Sequence, residues 1–226
     1  MSLTQALCHE LRTPPILDVK PIVFVVDDDI SVRESLELLI RCEGWQAETF
    51  AAAQEFLSRP RVLVPSCLVL DVSLPGLNGL ELQRRVAIER TDMPIIFITG
   101  YGDVLTTVQA MKAGAIEFFT KPYGEDALLG AIRVALERSR VALSREAEMK
   151  VLQDRYTSLS HRERQVMALV VAGLLNKQIG GELGISEITV KAHRGKVMQK
   201  MKADSLADLV RMAWKLRSVP AAMLAA

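Results

Sequence analysis

The stretch IVFVVDDD, residues 22–29, decides the fold of the first half of this chain. Its first five residues form a mostly β-branched, apolar run of strand length, and three aspartates follow directly. In open α/β sheets, ligand sites lie at the carboxyl ends of the strands. The sequence therefore predicts a strand that ends in a functional site.

Three more apolar runs, taken outward from this one, end in polar residues. Asp71 follows CLVL, Thr99 follows IIFI and Lys121 ends EFFTK. Residues far apart in sequence converge where neighbouring parallel strands end. With Asp27 and Asp28, these side chains predict one phosphate-handling site built from four strand ends.

Short strands and helices alternate regularly from Pro21 onward. Strands are predicted near 22–26, 46–50, 67–70, 94–98 and 115–119, and helices near 31–43, 51–58, 77–90 and 103–112. Alternation at this spacing implies right-handed crossovers and a parallel sheet. The pattern predicts a doubly wound domain of five βα units.

The next helix begins near Glu125 and meets no strong breaker before Ser158, since it contains one interior Gly and no Pro. Leu129, Ile132 and Leu136 are predicted to pack on the sheet. Two interpretations of its second half stay open, a solvated spacer between domains and a coiled coil with a partner helix. The thin apolar stripe in that half comprises Leu143, Ala147, Val151 and Tyr156.

The charge of the chain is divided between its two halves. Residues 21–124 carry 9 Lys and Arg against 14 Asp and Glu, a net charge of −5, whereas residues 157–217 carry 11 against 5, a net charge of +6. The basic half suggests a nucleic-acid partner. The three cysteines have no paired spacing and predict neither a disulfide framework nor a zinc site. Because membrane-span and signal-peptide patterns are missing, the sequence predicts a cytoplasmic protein without a membrane partner.

Residues 157–217 are helical in pattern throughout. Four helices are predicted, with caps at Ser160 or Thr157, at Asn176, at Ser186, and at Ser205 or Asp204. The second and third helices, separated by a short turn containing Gly184, form a helix-turn-helix pattern. This pattern and the basic charge together favour DNA binding.

The acidic residues at the strand ends suit a hard divalent cation such as Mg2+, which prefers oxygen ligands. Asp71 is the best candidate nucleophile for a phosphoryl group, Lys121 supplies a positive charge, and the Thr99 hydroxyl donates a hydrogen bond. Cationic charge is needed because the carboxylate attacks a group that is already negative. We interpret Asp29 as a solvated loop charge.

At this point the first half resembles the receiver domain of bacterial two-component response regulators. The resemblance covers residues 21 to about 135 and is carried by VVDDD at 25–29, LVLDVSLPGLNGLEL at 68–82, ITG at 98–100 and GAIEFFTKP at 114–122. It implies that Asp71 is the phosphoacceptor. It implies a metal site formed by Asp27, Asp28, Asp71 and the Ser73 carbonyl, and a phosphoryl-binding and switch group formed by Thr99, Phe118 and Lys121.

The resemblance also implies a cis Lys121–Pro122 peptide bond. The rival class is a phosphatase or phosphotransferase of the haloacid dehalogenase type, which also uses an aspartyl nucleophile. Such enzymes carry a DxD pattern, and the residue two beyond Asp71 is Ser73, so the general acid of that class is missing.

Residues 157–217 resemble the DNA-binding domain of the FixJ/NarL regulators, which carry a LuxR-type helix-turn-helix. We expect Val190, Val197 and Met201 to face the core, and Lys191 to be the main base-reading residue. The DNA-binding residues that the resemblance implies are Lys177, Thr189, Lys191, Ala192, His193, Arg194, Gly195, Lys196, Gln199 and Lys200. For His193 a core position is an equal alternative.

Two features depart from these patterns. Gly180 and Gly181 lie inside the first helix of the helix-turn-helix and Gly195 inside the second, each at a cost of about 1 kcal/mol relative to Ala. At the N-terminus, HELRTP at 9–14 resembles the phosphoacceptor box of histidine kinases. An inert remnant is the favoured interpretation of that box, and transfer from His9 to Asp71 is the alternative.

The sequence therefore predicts a transcriptional regulator rather than an enzyme with an external substrate, although Asp71 would catalyse its own phosphorylation and dephosphorylation. The predicted segments are an extension at 1–20, a receiver at 21–136, a linker helix at 137–156, a DNA-binding domain at 157–217 and a tail at 218–226. The expected partners are a sensor histidine kinase, double-stranded promoter DNA, a second copy of the chain after phosphorylation, and RNA polymerase. The alternative is a phosphorylation-independent transcription factor whose receiver docks a partner protein.

Overall fold

The computed structural model describes residues 19–100 and 104–217. They form two compact units, with the division between Leu143 and Ser144. The HELRTP segment, Cys8 and the predicted tail lie outside the described residues. Among the helices that the structure describes, none combines the length and the apolar character needed to cross a membrane.

A five-stranded parallel sheet forms the centre of the first unit, in the order β2-β1-β3-β4-β5. The strands are β1 (Ile22–Val26), β2 (Gln46–Phe50), β3 (Ser66–Asp71), β4 (Ile95–Thr99) and β5 (Glu117–Thr120). The predicted parallel, doubly wound sheet is confirmed. Each predicted strand is present, and its limits differ from the prediction by at most two residues.

Helices cover both faces of this sheet. They are α1 (Ile30–Cys42), α2 (Ala53–Ser58), α3 (Gly79–Glu89), α4 (Val104–Lys112) and α5 (Glu125–Thr157). Leu36 of α1 and Ile132 of α5 belong to one core, and Phe56 of α2 and Leu82 of α3 belong to the other. Because both faces are covered, every residue of β1 is buried, which explains its uninterrupted apolar sequence.

Helix α5 contributes to both units. In its first half Leu129, Ile132 and Leu136 are buried, as predicted. The Ser139 hydroxyl, also buried, accepts a hydrogen bond of 3.0 Å from the backbone N–H of Ser66 at the start of β3. The first half of α5 is therefore fixed to the sheet by apolar burial and by one buried polar contact.

The second half of α5 packs into the core of the second unit. Leu152 is buried there and Tyr156 lies partly buried against it. Val151, which the predicted stripe included, is 47% exposed. Within this unit the buried face of the helix passes through Leu152, and the choice between a solvated spacer and a coiled coil stays a prediction.

The described residues of the second unit, which end at 217, form four further helices, as predicted. They are α6 (His161–Val171), α7 (Asn176–Leu183), α8 (Glu187–Met201) and α9 (Leu206–Arg217). Ser160 caps α6 in a reciprocal capping box with Glu163, and the Ser186 side chain caps α8. The Ser205 hydroxyl accepts a hydrogen bond from the N–H of Asp208 in the first turn of α9. These local caps explain where three of the helices begin.

The predicted cap of α7 was wrong. Asn176 is the first residue of this helix, and Leu175 takes the capping position without a side-chain hydrogen bond to the helix. The Asn176 side chain instead accepts a hydrogen bond of 3.2 Å from Arg194 of α8. A contact between the two helices has therefore replaced the local cap.

The two glycines in α7 have different environments. A Cβ atom on Gly180 would lie 2.8 Å from the carbonyl oxygen of Ile185 in the turn that follows, whereas a Cβ on Gly181 meets nothing within 4 Å. The carbonyl of Gly180 also accepts a hydrogen bond of 3.0 Å from the N–H of Ile185. Gly180 therefore allows the turn to close against α7, and Gly181 serves no such contact.

Replacing Gly181 by Ala should raise the free energy of unfolding of the second unit by about 0.5–1 kcal/mol, through helix propensity alone. The free energy of unfolding of Gly180→Ala should be lower than that of Gly181→Ala by about 1 kcal/mol or more, because the turn at Ile185 must shift to make room for the Cβ atom. Urea denaturation followed by tryptophan fluorescence measures both changes. A Trp45→Phe background leaves Trp214 as the only tryptophan. Equal stabilisation by the two substitutions would contradict the role assigned to Gly180.

Candidate phosphorylation site and DNA-binding helices

Four polar residues meet at the carboxyl edge of the sheet. Asp27 follows β1, Asp71 ends β3, Thr99 ends β4 and Lys121 follows β5. The Lys121 Nζ atom lies 2.6 Å from Oδ2 of Asp27 and 3.4 Å from Oδ1 of Asp71. One ammonium group therefore bridges two carboxylates, as expected where neighbouring parallel strands end.

Burial changes the proton affinities of this cluster. The side chains of Asp27 and Asp71 are 0% and 5% exposed. Burial raises the pKa of Asp71 above its ordinary value, Asp27 adds to the effect, and Lys121 opposes it. Burial works to lower the pKa of Lys121, but the contacts with Asp27 and Asp71 raise it overall. The lysine remains charged and partly neutralises the two carboxylates.

The acidic loop after β1 is held by the side chains of Arg33 and Asp29. The Arg33 guanidinium donates hydrogen bonds to the carbonyl oxygens of Asp27 and Asp28, at 2.7 and 2.9 Å. The Asp29 carboxylate caps α1 by accepting from the N–H of Ser31 at 2.8 Å. Asp29 is exposed in this loop, as a solvated loop charge should be, and it also sets the start of α1.

The loop after β3 depends on Gly79, a residue without a predicted role. A side chain at Gly79 would collide with the carbonyl oxygen of Asp71. The N–H of Gly79 donates to the carbonyl of Val72 at 3.1 Å, and Asn78 caps α3 in a capping box with Glu81. The start of α3 is thereby packed against the backbone of Asp71. The sequence signal was the Asn-Gly step, because Asn caps helices and Gly permits close approach.

The residues at this edge have the chemistry that a divalent cation needs. Oδ1 of Asp71 is buried and accepts no hydrogen bond, while Oδ2 accepts one of 2.9 Å from the N–H of Ser73. Asp27 and exposed Asp28 supply further carboxylate oxygens, which are the ligands that Mg2+ prefers. Among the described residues no three such side chains form a ready cluster.

The remaining predicted residues lie beside this cluster. Thr99 is fully buried at the end of β4. Phe118, in β5, is partly buried with its ring centroid 6.0 Å from that of Phe97. The Lys121–Pro122 peptide bond is cis, which confirms that prediction.

In the second unit, α8 presents an exposed face opposite a buried one. Val190, Val197 and Met201 are buried, as predicted. The exposed residues of α8 are Glu187, Ile188, Lys191, Ala192, Gly195, Lys196 and Gln199. Lys177 in α7 is exposed as well. This face has the composition expected of a recognition helix.

The other four predicted DNA-binding residues are partly buried within the unit. The Thr189 hydroxyl lies 2.8 Å from that of Ser186, and Arg194 donates to Asn176. Nδ1 of His193 is buried without a hydrogen-bond partner. The ammonium of Lys200 donates to the Glu163 carboxylate at 2.6 Å and to the Ser158 carbonyl at 3.1 Å.

The Glu163–Lys200 pair connects the start of α6 to the end of α8. Glu163 is 4% exposed, and its carboxylate also accepts from the N–H of Ser160 at 2.8 Å. Hydrogen bonds from Lys200 and Ser160 lower the pKa of Glu163 to about 2. The charged form of Glu163 is therefore part of the folded structure.

Comparison with known protein families gives two matches. Residues 23–133 match the response regulator receiver domain, and residues 157–213 match the bacterial regulatory proteins of the luxR family. The two matches cover separate parts of the chain, one in each structural unit. They agree with the resemblances seen in the sequence.

Individual proteins are similar over most of the chain. Nodulation protein W of Bradyrhizobium diazoefficiens is 51% identical over 193 residues, covering 85% of each chain. Response regulator protein TmoT of Ectopseudomonas mendocina is 46% identical over 200 residues, covering 88% of this chain and 91% of its own. Among solved structures, response regulator StyR is 49% identical with a TM-score of 0.79, covering 87% of this chain and 100% of its own.

Replacing Glu163 by Gln should lower the free energy of unfolding of the second unit by about 1.5–3 kcal/mol at neutral pH, because a charged hydrogen bond is lost. The folded-state pKa of about 2 lies below the ordinary 4.5, so the stabilisation is complete above about pH 4.5 and is lost as pH falls towards 2. The stability difference between wild type and variant should shrink across that range. Urea titrations read from Trp214 measure it, with exposed Glu182→Gln as the control. A difference independent of pH would count against the charged pair.

Proposed function

Because this chain belongs to the response regulators that join a receiver to a LuxR-type DNA-binding domain, we propose that phosphorylation of Asp71 by a sensor histidine kinase controls its binding to promoter DNA. The observation that carries this proposal is the buried Asp71 carboxylate at the end of β3, with one oxygen free of hydrogen bonds and Lys121 3.4 Å away. The expected outcome is regulated transcription. The kinase would recognise the receiver, and RNA polymerase is a further partner of the DNA-bound form.

In the proposed transfer, an Asp71 oxygen attacks phosphorus and the bond from phosphorus to the donor atom breaks, which gives an acyl phosphate. Asp27, Asp28, Asp71 and the Ser73 carbonyl would hold a Mg2+ ion, which when bound supplies positive charge to the phosphoryl oxygens. Lys121 would transfer its hydrogen bond from Asp27 to the phosphoryl group. Water reaching the same site would allow autodephosphorylation.

The proposed switch is a shift between two pre-existing conformations of the receiver. Thr99 would donate its hydroxyl to the phosphoryl group, and Phe118 would turn further inward. The change would alter the surface around α4, where Val104 and Leu105 are 79% and 76% exposed. Exposed apolar residues of this kind support dimerisation as the result of phosphorylation.

The DNA-binding domain would insert α8 into the major groove. Lys191 would contact a base edge, with Ala192, Gly195 and Gln199 on the same face, while Lys177 and Lys196 would contact phosphates. Three further residues would hold α8 in place or contact the DNA phosphate backbone, namely Thr189, His193 and Arg194. For Lys200 we propose a structural role, because Glu163 already binds its ammonium group.

We propose the domain limits as 21–136 for the receiver, 137–156 for the linker helix and 157–217 for the DNA-binding domain. The division between Leu143 and Ser144 falls inside the proposed linker. Leu152, near the end of the proposed linker, is buried in the core of the second unit.

Incubating the protein with Mg2+ and a small acyl-phosphate donor should add one phosphoryl group, detected as intact mass, and should shift the chain to a dimer in light scattering. Asp71→Asn should abolish the adduct and the dimer, because the amide is not a nucleophile. Asp29→Asn is the matched control. It changes a neighbouring aspartate, and Asn still caps a helix, so the adduct should persist.

If the folded wild type forms no adduct, phosphorylation at Asp71 is refuted, and the phosphorylation-independent docking module is favoured. Rapid turnover of the donor with release of inorganic phosphate would instead support the phosphotransfer enzyme. An adduct that survives in Asp71→Asn would place the phosphoacceptor elsewhere.

Removing a lysine that contacts DNA phosphate should lower the salt dependence of DNA binding. Lys196→Met and Lys177→Met should each reduce the slope of log affinity against log salt by about 0.9. Lys200→Met should leave the slope close to wild type while lowering the stability of the unit, because its ammonium is bound by Glu163. Fluorescence anisotropy with a labelled duplex at several salt concentrations provides the measurement. If Lys200→Met also reduced the slope by about 0.9, Lys200 would contact a DNA phosphate and the structural role would be contradicted.

A further inference from the structure

Ile188 is the most exposed large apolar residue among the described residues of the second unit, at 79%. It is the second residue of α8, directly after Glu187. Isoleucine is β-branched, has only moderate helix propensity, and gains nothing from exposure to water. The fold of the unit therefore gives no reason for isoleucine at this position.

The surroundings of Ile188 leave it pointing outward. The next two residues are used by the domain, since Thr189 contacts the Ser186 cap and Val190 is buried. Glu187 forms an ion pair of 3.3 Å with Lys191. Ile188 is thus the exposed apolar group in the first turn of α8, where recognition helices contact base edges.

Helical spacing places Ile188 on one face with Lys191, Ala192 and Gly195, three, four and seven residues further along. These residues are all exposed. Ile188, Ala192 and Gly195 bring no hydrogen-bonding side chain to this face. Lys191 brings a cation that Glu187 already partly neutralises. At the N-terminal end of this face only Lys191 can hydrogen-bond to a base edge, and the next such side chain, Gln199, lies one turn beyond Gly195.

In the major groove of B-form DNA, the apolar group on a base edge is the C5-methyl of thymine. We propose that Ile188 is a specificity-determining residue that packs on a thymine methyl within each half-site, the DNA segment contacted by one copy of the domain in a dimer. This inference rests on the proposed function, because it requires α8 to enter the major groove. Ile188 would supply a second base contact beside that of Lys191, the predicted base-reading residue, and this contact would select a thymine.

The test uses the full chain after incubation with Mg2+ and an acyl-phosphate donor. A duplex is first selected by this protein from a library of random-sequence DNA. Each thymine of the selected duplex is then replaced, one at a time, by deoxyuridine, which lacks only the methyl group and keeps the O4 acceptor. At one thymine per half-site, affinity should fall about four-fold, the factor that burial of one such group provides.

Ile188→Ala should bind the thymine duplex about as weakly as wild type binds the deoxyuridine duplex, and should no longer distinguish the two. Non-additivity of the protein and DNA changes is the signature of a direct contact. Ile188→Val should keep part of the discrimination. The control is Leu206→Ala, which removes another exposed aliphatic side chain, in α9 and outside the helix-turn-helix, and should keep all of it.

The proposal is overturned if no thymine responds to methyl removal, or if Ile188→Ala retains full discrimination between thymine and deoxyuridine. If Ile188→Ala lost regulation of transcription but still distinguished thymine from deoxyuridine, Ile188 would contact a protein instead. That result would also overturn the proposal. If no duplex is enriched over random competitor DNA, the proposed function fails, which is distinct from failure of the methyl contact. An unchanged melting temperature shows that Ile188→Ala is folded.

Discussion

The receiver depends on a compromise between burial and charge at Asp27 and Asp71. Two carboxylates, 0% and 5% exposed, lie at the ends of adjacent strands, where mutual repulsion and desolvation both act against their ionised forms. Lys121 offsets that penalty by contacting both. The lysine, the acidic loop fixed by Arg33 and the close approach of Gly79 surround a buried carboxylate oxygen of Asp71 that accepts no hydrogen bond. Such an oxygen is costly at rest and therefore responsive to a phosphoryl group or a cation.

In the DNA-binding unit, a small number of contacts hold α8 in a fixed position. Its core fixes one face of the helix through Val190, Val197 and Met201. The Lys200–Glu163 bond ties the end of α8 to the start of α6, and the Arg194–Asn176 bond ties its middle to the start of α7. Basic residues that were predicted to bind DNA, such as Arg194 and Lys200, thus also hold the helices of the unit together. The outer face of α8 therefore has fewer charged side chains without a partner in the protein.

Much of this architecture could be predicted from the sequence because it depends on local pattern. Apolar runs such as 22–26 are buried on both faces, and capping residues such as Ser160 and Ser186 act within one helical turn. The wrong cap for α7 and the missed contact of Lys200 both involve a side chain whose partner lies far along the chain. Glu163 is 37 residues from Lys200 and Asn176 is 18 residues from Arg194. No periodicity shows such pairings. The strand-end site was visible because parallel topology brings those ends together, whereas the exposure of Ile188 required coordinates.

Helix α5 carries a consequence for how proteins of this design can be assembled during evolution. Leu136 belongs to the core of the receiver, and Leu152 to the core of the DNA-binding unit. Between Leu143, which is buried, and Leu152, the segment SREAEMKV contains no fully buried side chain. A recombination junction in that segment would leave the side chains of both cores in place. It would also keep α5 as one continuous helix. Junctions at the outer limits of either matched family region would instead separate a core from side chains it needs.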